Sequence, residues 1–104
     1  MRRLAVLGLV LSFTGHAAQA VEVGDASRGL AYARVNCAEC HGVEPTEAAS
    51  PFFDVPSFHE IAKTPGITDL ALVSFFQTPH PTMPDFVVPS ADISDLVAYI
   101  GSLR

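Results

Sequence analysis

The stretch Cys37-Ala38-Glu39-Cys40-His41 constrains this chain more than any other. It holds the only two cysteines among 104 residues, with a histidine directly behind the second. C-x-x-C-H is the pattern by which haem is attached covalently to a polypeptide. Each thiolate adds across one vinyl group of the porphyrin, and one helical turn keeps the two sulfurs at the separation this requires. The histidine then falls beneath the iron, where one ring nitrogen can bind the metal while the other hydrogen-bonds and fixes the ring. Three other readings compete. A thioredoxin-like dithiol needs βαβ flanks, which the sequence lacks. A structural zinc site made of Cys37, Cys40, His41 and either His59 or His80 lacks the second ligand pair. A local disulfide accounts for the cysteines and leaves His41 idle.

Residues 1–20 read as a targeting segment outside the fold. Arg2 and Arg3 precede an apolar run from Leu4 to Phe13, and Ala18-Gln19-Ala20 supplies a small-x-small site that predicts cleavage after Ala20. The run is half the length that a bilayer-spanning helix needs, so no stable membrane span is expected after cleavage. Export predicts a periplasmic location, a compartment suited to haem attachment. The remaining domain, residues 21–104, is small enough to need a staple, and a covalent haem is one. The whole chain carries six Lys and Arg against eleven Asp and Glu; loss of Arg2 and Arg3 leaves four against eleven, a formal net charge of −7. That balance argues against nucleic acid or anionic lipid and for redox protein partners with basic docking patches. The plainer alternative is that acidity only maintains solubility.

The rest of the domain reads as helices joined by proline-rich loops. Asp25 is a good N-cap for a helix that runs into the cysteines, with Gly29, Leu30, Ala33 and Cys37 on one face; Gly29 predicts a close backbone approach. Residues 42–56 read as a loop, made apolar by Phe52 and Phe53, which with Phe58 are expected to pack on the haem. Ser57 and Glu60 form a capping box for a short helix that turns Ile61 and Ala62 inward and ends at Thr64-Pro65-Gly66. Thr68 caps a third helix with an apolar face of Leu72, Val73, Phe75 and Phe76. Pro79, Pro81 and Pro84 then stiffen a loop. A last helix from Ser90 aligns Ile93, Leu96, Val97, Ile100 and Leu103.

One histidine leaves a haem iron five-coordinate, suited to ligand binding or peroxide chemistry, unless a second ligand closes it for electron transfer. Met83 is the sole methionine left after cleavage, on the proline-stiffened loop and 42 residues beyond His41. His80, on the same loop, and His59 are its rivals. Met83 is the preferred ligand, with His80 read as a surface residue. The alternative is a five-coordinate haem enzyme or gas-binding protein in which Met83 is labile or unbound.

Taken together, these motifs resemble the class I c-type cytochromes. Gly24-Asp25 and Gly29 ahead of Cys37 to His41, Pro56-Ser57-Phe58, Met83-Pro84, and Leu96 with Tyr99 follow the family order across the whole domain. The resemblance implies an all-α, cytochrome c-like fold, with three main helices and a short one around one covalently bound haem c. In it the first and last helices cross, with Gly29 against Leu96 and Tyr99, and the Pro56 carbonyl, or failing it that of Pro51, accepts from the second ring nitrogen of His41. It implies iron held by His41 and Met83 in a monohaem electron carrier of a respiratory chain, not an enzyme, working freely or as a haem subunit of a larger oxidoreductase. Two departures stand out. Ala33 occupies the place where mitochondrial-type members carry an aromatic residue, and Tyr32, one position earlier, is rotated about 100° round the helix, so a differently packed crossing is expected. Lys63 is the only lysine, so docking through a ring of lysines is not expected.

Overall fold

The computed structural model describes Gly15, residues 23–79, Met83 and residues 86–104. The expected targeting segment therefore lies, Gly15 apart, outside the described residues, and so does His80. The described chain forms four helices and no β-strand: α1 (Ala26–Asn36), α2 (Phe58–Lys63), α3 (Asp69–Gln77) and α4 (Ser90–Ser102). Among the described residues no helix is long and apolar enough to cross a membrane.

Each helix begins for a local chemical reason. The Asp25 carboxylate accepts from the backbone N–H groups of Ser27 and Arg28 at 2.9 and 3.0 Å, which satisfies two of the orphan donors at the start of α1. At α2 the capping box is complete: Ser57 Oγ accepts from Glu60 N, and the Glu60 carboxylate accepts from Ser57 N at 2.6 Å. Thr68 Oγ1 accepts from Ala71 N at 3.1 Å to start α3. α4 follows Pro89 without a side-chain cap. Gly66, with φ of 84°, makes the turn between α2 and α3 in a conformation that other residues resist.

The core lies where α4 meets the other three helices. The stripe expected on α4 is the one observed: Ile93, Leu96, Val97, Ile100 and Leu103 are all buried, together with Ala33, Phe58, Ala62, Leu72 and Tyr99. α1 and α4 make the most extensive pairing. A Cβ at Gly29 would collide with the Asp95 carbonyl and lie 2.8 Å from Tyr99 Cβ. The close approach is therefore real, and its nearest atoms belong to Asp95 and to Tyr99, one of the two expected partners. Gly24, just ahead of α1, makes a second such contact against the Ser94 carbonyl. Ala33 is completely buried at the crossing, whereas Tyr32 packs partly buried at its margin. The displaced ring thus leaves a small residue in the crossing.

An ion-pair cluster ties the start of α1 to the middle of α4. Asp95 is nearly buried and accepts from Asp25 N at 2.7 Å and from the Arg28 guanidinium at 2.9 and 3.1 Å. At the end of α4, Arg104 reaches Asp69 at the start of α3 at 2.9 Å.

Candidate haem-attachment site

α1 stops at the motif and hands it over to a turn. Cys37 N and Ala38 N both bond to the Ala33 carbonyl at 2.8 and 3.0 Å, and Cys40 N and His41 N bond to the Cys37 carbonyl at 3.2 and 2.9 Å. One hydrogen-bonded turn therefore carries both thiols and the imidazole, as the spacing requires. Cys37 is half-buried and Cys40 exposed, and neither is disulfide-bonded. Burial pushes the Cys37 thiol up to about 11, which keeps it protonated at neutral pH and unlike the acidic nucleophile of a thiol oxidoreductase. The zinc arrangement does not form: among the described residues no group of three or more His, Cys, Asp or Glu gathers to hold a metal.

The His41 ring is fixed through one nitrogen. Its Nδ1 lies 2.6 Å from the Pro56 carbonyl, so Nδ1–H donates and Nε2 keeps its lone pair for a metal. Pro56, the first of the two expected acceptors, is the one used. The Phe58 ring lies 5.6 Å from the imidazole at 57°, and the Tyr99 ring 6.2 Å behind Phe58. The turn after His41 is held from several sides. Gly42 N donates to Ser50 Oγ at 3.0 Å, Val43 N to Glu47 Oε2 at 2.9 Å, and Phe58 N to the Gly42 carbonyl at 2.9 Å. The Val43 carbonyl accepts from the Tyr99 hydroxyl. Burial above all, and then the Glu44 carboxylate, hold that hydroxyl above its ordinary pKa, so it stays a donor. Arg34 grips Glu44 with two bonds of 2.5 and 2.8 Å and ties α1 to the same loop.

Met83 stands in a different wall. It lines a small cavity of about 10 Å³ with Phe75, Phe76, Thr78 and Phe86. The Phe75 and Phe76 rings meet edge-on at 5.8 Å. Thr78 Oγ1 donates to the Ser74 carbonyl at 2.8 Å. His59 lies elsewhere, in a groove with Pro45, Thr46 and Lys63, where its Nε2 donates to the Pro45 carbonyl. The structure thus separates His59 from the Met83 wall and gives its Nε2 another partner. The loop aromatics also divide. Phe58 is buried, whereas Phe52 is half-exposed and Phe53 fully exposed on the polypeptide.

These residues fit a haem. Two thiols and a carbonyl-held imidazole share one turn, and apolar rings of Phe75 and Phe86 stay about two-fifths exposed beside a thioether, as a large flat apolar group would require. An all-helical fold with a C-x-x-C-H turn marks a protein built to carry covalent haem. Over 96 residues the chain is 38% identical to cytochrome c-552 of Bradyrhizobium diazoefficiens, an alignment covering 92% of this chain and 90% of that protein. No protein-family model matches the chain, and no solved structure does. The chain belongs to the c-type cytochromes, with the small all-α fold of class I, and its cofactor is covalently bound haem c with iron. It is a haem c electron-transfer protein, which implies redox partners.

Proposed function

We propose that Cys37 and Cys40 form the two thioethers, that His41 and Met83 are the axial ligands, and that the protein is an exported, periplasmic one-electron carrier without substrate chemistry of its own. The observation that carries this reading is the 2.6 Å contact between His41 Nδ1 and the Pro56 carbonyl, because it fixes the tautomer that leaves Nε2 for iron. The bound haem supplies the one-electron iron couple. The chain's own residues orient, exclude water and tune. Pro56 makes the imidazole a better donor, and Phe75, Phe76 and Phe86 surround the Met83 side chain. Saturated coordination supports outer-sphere transfer and leaves no open position for substrate. The segment 1–20 supports export with cleavage after Ala20, and the acidity of residues 21–104 supports partners with basic docking patches, such as those of a respiratory chain.

The optical spectrum tests the ligand set. The ferric protein is expected to be low-spin at neutral pH with a sulfur-to-iron charge-transfer band, and Met83→Ala is expected to lose that band and lower the reduction potential. A high-spin wild-type spectrum, or a band that survives Met83→Ala, overturns the assignment of Met83. Intact mass of the exported protein checks the rest: it should equal residues 21–104 plus one haem.

A further inference from the structure

We propose that Tyr99, placed at the α1–α4 crossing, is a positioning residue for the His41 imidazole. It acts by two routes. Its hydroxyl pins the carbonyl of Val43, two residues past the histidine, and its ring backs the Phe58 ring that lies against the imidazole. This inference rests on His41 being an iron ligand, as proposed above.

Tyr99 is 3% exposed and Val43 1%. A phenylalanine would fill the same core volume, whereas a buried hydroxyl is retained only where it finds an acceptor. The acceptor is 56 positions away in sequence and belongs to the turn that carries the haem motif. Three neighbouring backbone groups of that turn are engaged elsewhere: Gly42 N by Ser50, Val43 N by Glu47 and the Gly42 carbonyl by Phe58 N. The Val43 carbonyl is where α4 takes hold. Tyr99 Cβ is also the atom that packs against Gly29, so one residue joins the helix crossing to the orientation of the ligand. Releasing the hydroxyl lets the turn relax and lengthens the bond from His41 Nδ1 to Pro56. A less firmly held N–H makes a less basic imidazole, which stabilises ferric iron less and raises the potential.

The test uses the holoprotein, with histidine selectively labelled with nitrogen-15, in wild type, Tyr99→Phe and Phe58→Leu. Tyr99→Phe keeps the ring and removes only the hydroxyl. Its His41 Nδ1–H is expected to exchange with solvent about tenfold faster, the equivalent of losing one hydrogen bond, with a rise in reduction potential. Phe58→Leu is expected to change the iron-shifted pattern of the His41 ring without touching the hydroxyl. A lower Tm in Tyr99→Phe with unchanged exchange and potential overturns the hydroxyl route, and an unchanged ring pattern in Phe58→Leu overturns the ring route. If wild type shows no iron-shifted His41 resonance, the ligand assignment itself fails. If that resonance is present and both variants leave it unmoved, the positioning role fails alone.

Discussion

Single residues decide whether this small chain can close. At Gly29 an added methyl meets backbone, the Asp95 carbonyl, and a Cβ that is itself buried. Neither can swing aside as the end of a flexible side chain could. Gly29→Ala gains about 1 kcal/mol of helix propensity and must still force α1 from α4, so a net loss of ~2 kcal/mol is expected, as for overpacked cores. For a domain of this size that is a fall in Tm of about 10 °C. Thermal unfolding followed at the helical circular dichroism band checks it, and a Tm equal to wild type would falsify the contact. Glycine is legible here because a mid-helix glycine has a cost that something must offset. Its partners were half legible: the family resemblance pointed to Tyr99, which is there, but not to the Asp95 carbonyl, because a pattern of side chains does not mark a backbone contact. The contact at Gly24 was not legible for a related reason, since that residue precedes the helix and no periodicity marks it.

At the level of elements, caps and apolar stripes were readable because they are local. Ser57 and Glu60 sit three residues apart, and the α4 stripe repeats within thirteen residues. The clamp between α1 and α4 was not readable, since Arg28 and Asp95 lie 67 residues apart and each alone reads as a surface charge. A separation of 56 residues likewise hid the bond from Tyr99 to Val43. The clamp makes stability depend on pH. The guanidinium of Arg28 first, and then the Asp25 backbone N–H, hold the Asp95 carboxyl below its ordinary value. A depressed carboxyl contributes stability that is fully present above its unfolded pKa of about 3.9 and is lost as pH falls through the lower folded value. Asp95→Asn keeps the shape, removes the charge and should unfold at lower denaturant than wild type at pH 7. The two midpoints should converge as pH falls through the lowered folded value, where both side chains become neutral. A gap that persists unchanged into acid would mean that Asp95 acts through packing instead.

Over the whole molecule, charge is the property that a partner meets first. The cations that the structure places are largely spent internally: Arg28 on Asp25 and Asp95, Arg34 on Glu44, and Arg104 on Asp69. The sequence showed the imbalance of four cations against eleven acids after loss of Arg2 and Arg3, but not this pairing, which leaves the unpaired excess acidic. An acidic surface attracts a cationic reagent over roughly the Debye length, about 30 Å at 0.01 M salt and 8 Å at 0.15 M. Electron exchange with a small inert cationic metal complex should therefore slow several-fold across that range. Exchange with an anionic complex of similar driving force should accelerate over the same range, because screening removes repulsion. The pair of reagents matters, since a general salt effect on the protein would move both rates in one direction. Stopped-flow rates against ionic strength give the two slopes. Slopes of opposite sign are the expected result, and a rate with the cationic complex that is flat or rising with salt would mean that the region through which electrons leave is not acidic. In that case a partner with a basic patch would have to dock away from it, and the acidity would serve solubility alone.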